Sequence, residues 1–174
     1  MGVVRRLRQG LRALFAFAQR VDTALPEATL SAAQLTLFRR MQRSEQIHAV
    51  NVLRELLAQA EPTPDDLAVV ALLHDVGKVR HPLRVWSKTL GVLLRVFMPG
   101  LFQRWSRGNV RNPLQRACIV MTQHPVWGAE LVAEAGATEP VVWLVEHHAD
   151  SPASWQDHPH RPFLERLQQA DDAH

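Results

Sequence analysis

The side chains best suited to chemistry in this 174-residue sequence are histidines and aspartates that fall near the expected ends of helices. Imidazole nitrogens and carboxylate oxygens are ligands that borderline divalent cations prefer. They are more numerous than one tetrahedral ion needs, so two ions are plausible. The prediction is one or two divalent ions per chain, with Mn, Fe, Co, Ni or Mg as candidates. The predicted metal ligands are His48, His74, Asp75, His124, His147, His148 and Asp171.

The adjacent pair His74-Asp75 needs a special backbone position to supply two ligands to one site. Neighbouring residues inside a helix point about 100° apart and do not share a face. This obstacle disappears at a helix terminus, where the chain leaves the regular path. Gly77 follows two residues later and is expected to end the helix as a left-handed cap. The pair His147-His148 is predicted to lie at a similar terminus.

Helices must position these residues, because apolar side chains recur at helical spacing along most of the chain and Tyr is absent. The sequence therefore predicts an all-α bundle of about six or seven helices. Ser31 with Gln34 has the pattern of a capping box. Ser44 is expected to be the N-cap of the next helix, and Thr63 the N-cap of a helix with Pro64 at its first position.

The second half of the chain is expected to contain four more helices. Pro125 disfavours helical geometry at His124, so a helix that starts at Asn112-Pro113 is expected to stop near Gln123. The remaining predicted helices are Val126 to Ala135 with Gly136 as its end, Glu139 to His148 capped by Thr138, and Phe163 to Asp172, with residues 149–162 as a loop.

Composition places limits on the class of protein. A hydrophobic fraction of 47% and a charged fraction of 21% are those of a soluble globular chain. Cys118 is the only cysteine, which excludes an internal disulfide and a CxxC zinc site and fits a reducing cytoplasm. No apolar run is long enough to span a bilayer, so we expect a cytoplasmic protein.

The chain is expected to divide into a basic helical extension over residues 1–30 and one domain over 31–174, with an insertion at 81–108. The insertion is rich in Leu, Val, Phe, Trp and Arg. It could be an ordinary core helix pair, a lid over the active site, or a surface that contacts a membrane or partner. Peripheral membrane contact could also involve residues 1–20. A nucleic-acid partner is not expected because no recognised motif appears, and the oligomeric state stays open.

Four segments resemble the motifs of one family in the same order along the chain. They are LLHDVGK, QHPVWGAEL, VEHHAD and LQQADDA. Together with His48 they resemble the HD superfamily of metal-dependent phosphohydrolases, over about residues 44–172. The His pair is similar to that of the two-metal, HD-GYP-like branches. Residues 149–153, however, read ADSPA where those enzymes carry a DGxGYP-like stretch, so cleavage of a cyclic dinucleotide is not expected.

The resemblance implies an HD-domain helical bundle in which His48, His74, Asp75 and Asp171 hold one ion. Asp75 would bridge to a second ion held by three further ligands, His124, His147 and His148. Asp75 and Lys78 would be the catalytic residues, with Lys78 holding a phosphate oxygen or orienting the nucleophile. The implied activity is hydrolysis of a phosphomonoester or phosphodiester, in a nucleotide, by a metal-activated water. The alternative is an HD-fold signalling module that binds a nucleotide or metal without turnover.

Overall fold

The computed structural model describes residues 21–173, so residues 1–20 of the predicted basic extension lie outside the described part. Within it the chain forms nine α-helices and two short 3-10 helices and has no strand, which confirms the all-α prediction. The α-helices are α1 (Ala24–Thr29), α2 (Ala32–Arg40), α3 (Arg43–Leu57), α4 (Asp65–Leu73), α5 (Val85–Phe97), α6 (Pro99–Ser106), α7 (Pro113–Glu134), α8 (Glu139–His147) and α9 (Arg161–Ala173); the 3-10 helices are Val76–Arg80 and Pro152–Trp155.

Helix α4 is the centre of the main core. It contacts α1, α2, α3, α8 and α9, and its residues from Val69 to Leu73 are all buried. A helix that is apolar on every side is stable only when other elements surround it. Because α4 ends in the middle of the bundle, the residues that follow it, His74 and Asp75, are delivered to the interior.

Several predicted helix ends are confirmed by the structure. The backbone N–H of Gln34 donates to Ser31 Oγ, and the N–H of Ser31 donates to the Gln34 side chain, which completes the capping box. Asn112 caps α7 by accepting from the N–H of Leu114. Gly136 follows α7 with φ of +75°, a conformation that glycine adopts without steric cost.

Two predicted N-caps were wrong by one or two residues. Helix α3 begins after Gln42, which forms a capping box with Glu45, so Ser44 lies inside the first turn. Helix α4 begins after Pro64, and the Thr63 hydroxyl donates instead to the carbonyl of Leu56. At α3 the Gln42–Glu45 capping box satisfies free backbone groups of the first turn, whereas no side chain caps α4 at Pro64.

The predicted break at Pro125 was also wrong, because α7 runs without interruption from Pro113 to Glu134. Proline has no N–H, so the carbonyl four residues earlier loses its helical partner, and this cost must be offset by packing. Here the helix packs closely on the 3-10 helix and on α8, and His124 and Pro125 are both buried. Tertiary contact therefore outweighs the local preference of the pre-proline residue. The nine α-helices of the described residues exceed the predicted six or seven even so, because α1, within the predicted helical extension, packs on the bundle and residues 81–108 form two.

Gly77 does not form the predicted left-handed cap. It lies in the 3-10 helix Val76–Arg80, and Gly136 is the only described glycine with positive φ. The structure gives another reason for glycine at this position. A Cβ on Gly77 would lie 2.0 Å from the carbonyl oxygen of His124 and 2.6 Å from the backbone nitrogen of Gly128. Gly77 thus permits direct backbone contact between the His74-Asp75 turn and the helix that carries His124.

Substitution Gly77→Ala is expected to lower the free energy of unfolding by about 3 kcal/mol, because the added methyl group meets backbone atoms that cannot rotate away. Chemical denaturation followed by circular dichroism measures the change. Gly100→Ala is the matched control, since nothing lies within 4 Å of a Cβ there. A loss below about 1 kcal/mol would show that the two segments separate easily.

Residues 81–108 form α5 and α6, which lie against α7. Only Ser87, Gly91 and Leu94 are buried in α5, and no residue of α6 is buried. The two helices therefore form an outer layer of the bundle. Residues 21–30, assigned from the sequence to the extension, contribute Pro26 and Leu30 to buried positions against the main bundle. No described helix has the length and apolar character needed to cross a bilayer.

Candidate metal centre

One group of ligand-forming atoms comes from two helices and the turn after α4. His48 on α3 faces Asp171 on α9, with 2.7 Å between Nε2 and Oδ1. His74 Nε2 lies 3.7 Å from Asp75 Oδ2 and 3.8 Å from Asp171 Oδ1. One ligand atom each from His48, His74 and Asp75 lies within 4.8 Å of the others. This group matches the predicted first metal position.

A second group lies on the other side of the same carboxylate. Asp75 Oδ1 lies 3.2 Å from His124 Nε2 and 3.8 Å from His148 Nε2. The two imidazole Nε2 atoms are 3.1 Å apart, and all three ligand atoms fall within 4.8 Å of one another. The Asp75 carboxylate therefore directs one oxygen to each group, which is the arrangement of a bridging ligand between two cations.

Backbone contacts fix the orientation of three of the imidazole rings. The Nδ1 atoms of His74, His124 and His148 lie 3.0, 2.9 and 2.7 Å from the carbonyl oxygens of Ala71, Val120 and Val145, respectively. A carbonyl can only accept, so each Nδ1 must carry the proton. A ring that carries only this proton presents the lone pair of its Nε2 atom to the pocket. Histidine ligands of metal ions are commonly oriented by such a hydrogen bond.

The charges in the pocket follow from these contacts. Burial acts to raise the pKa of Asp75, but the cationic Lys78 and nearby His74 and His124 outweigh it and hold that pKa well below its usual range. Lys78 Nζ donates to Asp75 Oδ2 at 2.5 Å. Burial acts to lower the pKa of Lys78, but the Asp75 carboxylate raises it overall. The carboxylate is therefore ionised and ready to bind a cation.

Neighbouring charges and burial also shift the pKa values of His48, His74 and Asp171 in the first group. Burial acts to lower the pKa of His48, but the hydrogen bond with Asp171 and the charge of Asp75 raise it above its ordinary value. Burial opposes ionisation of Asp171, but the His48 hydrogen bond and the His74 ring lower its pKa to about 2. Burial lowers the pKa of His74, so that its ring is neutral and able to coordinate.

His147 is placed outside the two groups, although the sequence assigned it to the second ion. Its Nδ1 atom lies 2.8 Å from Asp150 Oδ2, and its ring lies beside Trp143 and Trp155, with centroid separations of 4.7 and 4.2 Å. His147 and His148 diverge because sequential residues at the end of α8 point in different directions. The other six predicted ligands and Lys78 are brought together.

Sequence reasoning did not identify two residues that support the pocket. Gln168 on α9 donates to the carbonyl oxygens of His148 and Asp150, at 2.8 and 2.7 Å, and so attaches the end of α8 to the helix that carries Asp171. Glu45 is buried one turn before His48 and accepts from Lys88 of α5 at 2.9 Å. The position of Gln168 one turn before Asp171 was the available signal for the first of these contacts.

The titration of His148 predicts a pH-dependent stability for the metal-free protein. Burial, with the neighbouring His74 and His124, lowers the pKa of His148 from 6.5 to about 3. Between these values the unfolded chain binds the additional proton, so the free energy of unfolding falls as the pH is lowered. We expect a loss of about 2 kcal/mol from this residue between pH 6.5 and about 5.

Denaturation at several pH values in the presence of a chelator measures this slope. His148→Asn is expected to reduce it, whereas His81→Asn, whose ring packs on Trp127 away from the pocket, is expected to leave it in place. Equal slopes in the wild type and His148→Asn would contradict the assigned protonation of this ring.

Comparison with models of known protein families, with curated protein sequences and with solved structures finds no match to this chain. Its function is therefore inferred from the side chains of the pocket and their geometry. Six histidine and aspartate side chains converge there, and three imidazole rings are held with their Nε2 atoms facing the interior.

Proposed function

We propose that this protein is a metal-dependent phosphohydrolase that cleaves a phosphomonoester or phosphodiester of a nucleotide. The observation that carries the proposal is the position of the Asp75 carboxylate, with Oδ2 toward His74 and Oδ1 toward His124 and His148. Two groups of ligands that share one carboxylate are typical of sites that hold a pair of divalent cations. The motif order that resembles the HD superfamily supports the same activity and the HD-type bundle.

The donor atoms fit such ions chemically. Neutral imidazole nitrogens and carboxylate oxygens suit Mn, Fe, Co or Ni, whereas Mg would favour a site richer in oxygen. His48, His74, Asp75 and Asp171 would hold one ion, and Asp75, His124 and His148 the other. Bound ions of this kind polarise a phosphoryl oxygen and lower the pKa of water toward neutrality, which supplies a nucleophile without an activated Ser or Cys.

The residues of the chain supply the remaining requirements of the reaction. Asp75 stays ionised beside Lys78 and fixes the separation of the two ligand groups. A quarter of the Lys78 side chain is accessible, and its ammonium, which pairs with Asp75, can donate a further hydrogen bond to a phosphate oxygen of the substrate. His74, His124 and His148 are buried, whereas His48 and Asp171 are more exposed, so a substrate would approach from the side of His48 and Asp171.

The proposal is tested with protein loaded separately with Mn, Fe, Co, Ni or Mg and assayed against nucleoside mono-, di- and triphosphates and dinucleotides. We expect release of inorganic phosphate or a nucleoside monophosphate with at least one metal. His124→Gln is expected to abolish release, and His160→Gln, which contacts Glu139 outside the pocket, to preserve it.

The competing function is a non-catalytic HD-fold signalling module that binds a nucleotide or metal. The contact between Lys78 and Asp75 favours it, since an internal cation already partly neutralises the shared carboxylate. Metal-loaded protein that binds a nucleotide tightly and releases no product from any member of the panel would support the module and contradict the hydrolase.

A further inference from the structure

Positive charge and exposed apolar side chains are concentrated in one part of the fold. Residues 76–129 contain nine Lys and Arg side chains and no Asp or Glu, so all 17 carboxylate residues of the chain lie elsewhere. Six of the nine exposed large apolar side chains of the described residues fall between 85 and 98. They are Val85, Trp86, Leu93, Val96, Phe97 and Met98, with exposed fractions from 48% to 72%.

The apolar side chains form a stripe along α5. Trp86, Leu93 and Phe97 are separated by seven and four residues, so they lie on one side of the helix, with Val96 beside them. The buried residues Gly91 and Leu94 lie on another side, facing α7. A Cβ on Gly91 would lie 2.7 Å from Met121 Sδ and 3.2 Å from the Ala117 Cβ, so α5 rests closely on α7. The packed side of α5 is thus already occupied, and the stripe faces outward.

Exposed arginines occur in the same segment of the chain as this stripe. Arg84, Arg95, Arg104, Arg107 and Arg111 lie in α5, in α6 and in the turns that bound them, and all five are exposed. None forms an ion pair with a described residue. Three of the other four cations of the segment behave differently, since Lys78, Arg80 and Lys88 pair with Asp75, Glu130 and Glu45, respectively. The fourth, Arg116, donates to the carbonyl of Val110. We call the four apolar residues Trp86, Leu93, Val96 and Phe97 with these five arginines the basic apolar patch.

We propose that the basic apolar patch docks the protein on the surface of an anionic lipid bilayer. A helix that lies in the interface buries Trp, Phe and Leu among the acyl chains while Arg side chains contact anionic headgroups. The patch supplies both components. The proposal is independent of the hydrolase activity, because none of these nine residues belongs to the metal centre.

Other occupants match only half of the patch. A nucleic acid would satisfy the arginines, but its phosphate and sugar surface would leave Leu93 and Val96 without an apolar partner. A second copy of the chain could offer carboxylates, but among the described residues its exposed large apolar side chains outside 85–98 are Leu57, Leu114 and Val126, which do not form a comparable stripe. The segment 1–20 carries five arginines and no carboxylate, so its charge opposes contact with the patch.

Co-sedimentation of the full chain with vesicles tests the proposal. We expect binding to phosphatidylcholine vesicles that contain phosphatidylglycerol, and weak binding to pure phosphatidylcholine. The triple variant Trp86→Ser, Leu93→Ser, Phe97→Ser should weaken binding at least about tenfold through lost apolar insertion. The triple variant Arg95→Gln, Arg104→Gln, Arg107→Gln should weaken it by about a hundredfold at low salt.

Matched controls separate the patch from general effects of charge and apolar exposure. Leu57→Ser and Arg40→Gln change exposed residues of the same types outside the patch and are expected to bind as the wild type does. Circular dichroism and the thermal midpoint establish that each variant is folded. Vesicle binding that both triple variants retain would overturn the proposal and assign binding to residues 1–20. Absence of vesicle binding, with oligonucleotide binding or self-association that the triple variants lose, would overturn it in favour of that partner.

Discussion

Replacement of Asp75 with Asn is expected to abolish phosphoester hydrolysis, with a loss of at least about a thousandfold, and to release metal from both groups of ligands. The substitution preserves the size of the side chain and removes its charge. Because one carboxylate oxygen serves each group, a single change should weaken both positions, whereas a change at any other ligand should affect mainly one. Phosphate release and metal content measured on the same sample provide the two readings.

The matched control is Asp157→Asn, which makes the same change on an exposed residue outside the pocket. It is expected to retain full activity and full metal content. Asp75→Asn that keeps one tightly bound ion and loses activity would show that the carboxylate is not shared. Asp75→Asn that keeps activity would contradict the proposed function.

The second large effect is expected at the adjacent histidines His147 and His148. Protein loaded with Mn or Co is expected to contain two ions per chain, measured by elemental analysis after removal of free metal. His148→Asn should retain one ion, because it removes a ligand of the second group. His147→Asn should retain two, because the His147 ring contacts Asp150 and two tryptophans instead.

The pair is its own control, since the same substitution is made at neighbouring positions. Hydrolysis is expected to follow the metal content, with a strong loss for His148→Asn and near wild-type rates for His147→Asn. Equal loss of metal in both variants would contradict the separation of the two rings, and one ion in the wild type would reduce the centre to a single position.

Most of the candidate metal centre could be predicted from the sequence, because its residues lie at helix termini or follow a motif order. His74 and Asp75 follow an apolar helix, and Asp171 lies on the last helix as expected. His147 could not be separated from His148 by these means. The direction of each ring depends on the last turn of α8 and on Asp150 and Trp155, whose contacts form only in the folded chain.

The class of fold was predictable from helical periodicity, whereas the path of the chain at Pro125 and Gly77 was not. A local rule predicts a break before Pro125, but the packing of α7 against the turn after His74 compensates for the missing hydrogen bond. Gly77 was expected to have a left-handed backbone, but its role is to allow two backbones to touch. Both cases depend on a contact between segments about fifty residues apart.

The hydrogen bonds from the imidazole Nδ1 atoms have a consequence for assembly of the centre. His74, His124 and His148 each bond to a carbonyl only three or four residues earlier in the chain, within their own turn of helix. The rings are therefore oriented by the same local interactions that build the helices, before any ion arrives. A metal ion would then bind a preformed site, and a chelator that removes the ion would leave the helical bundle folded.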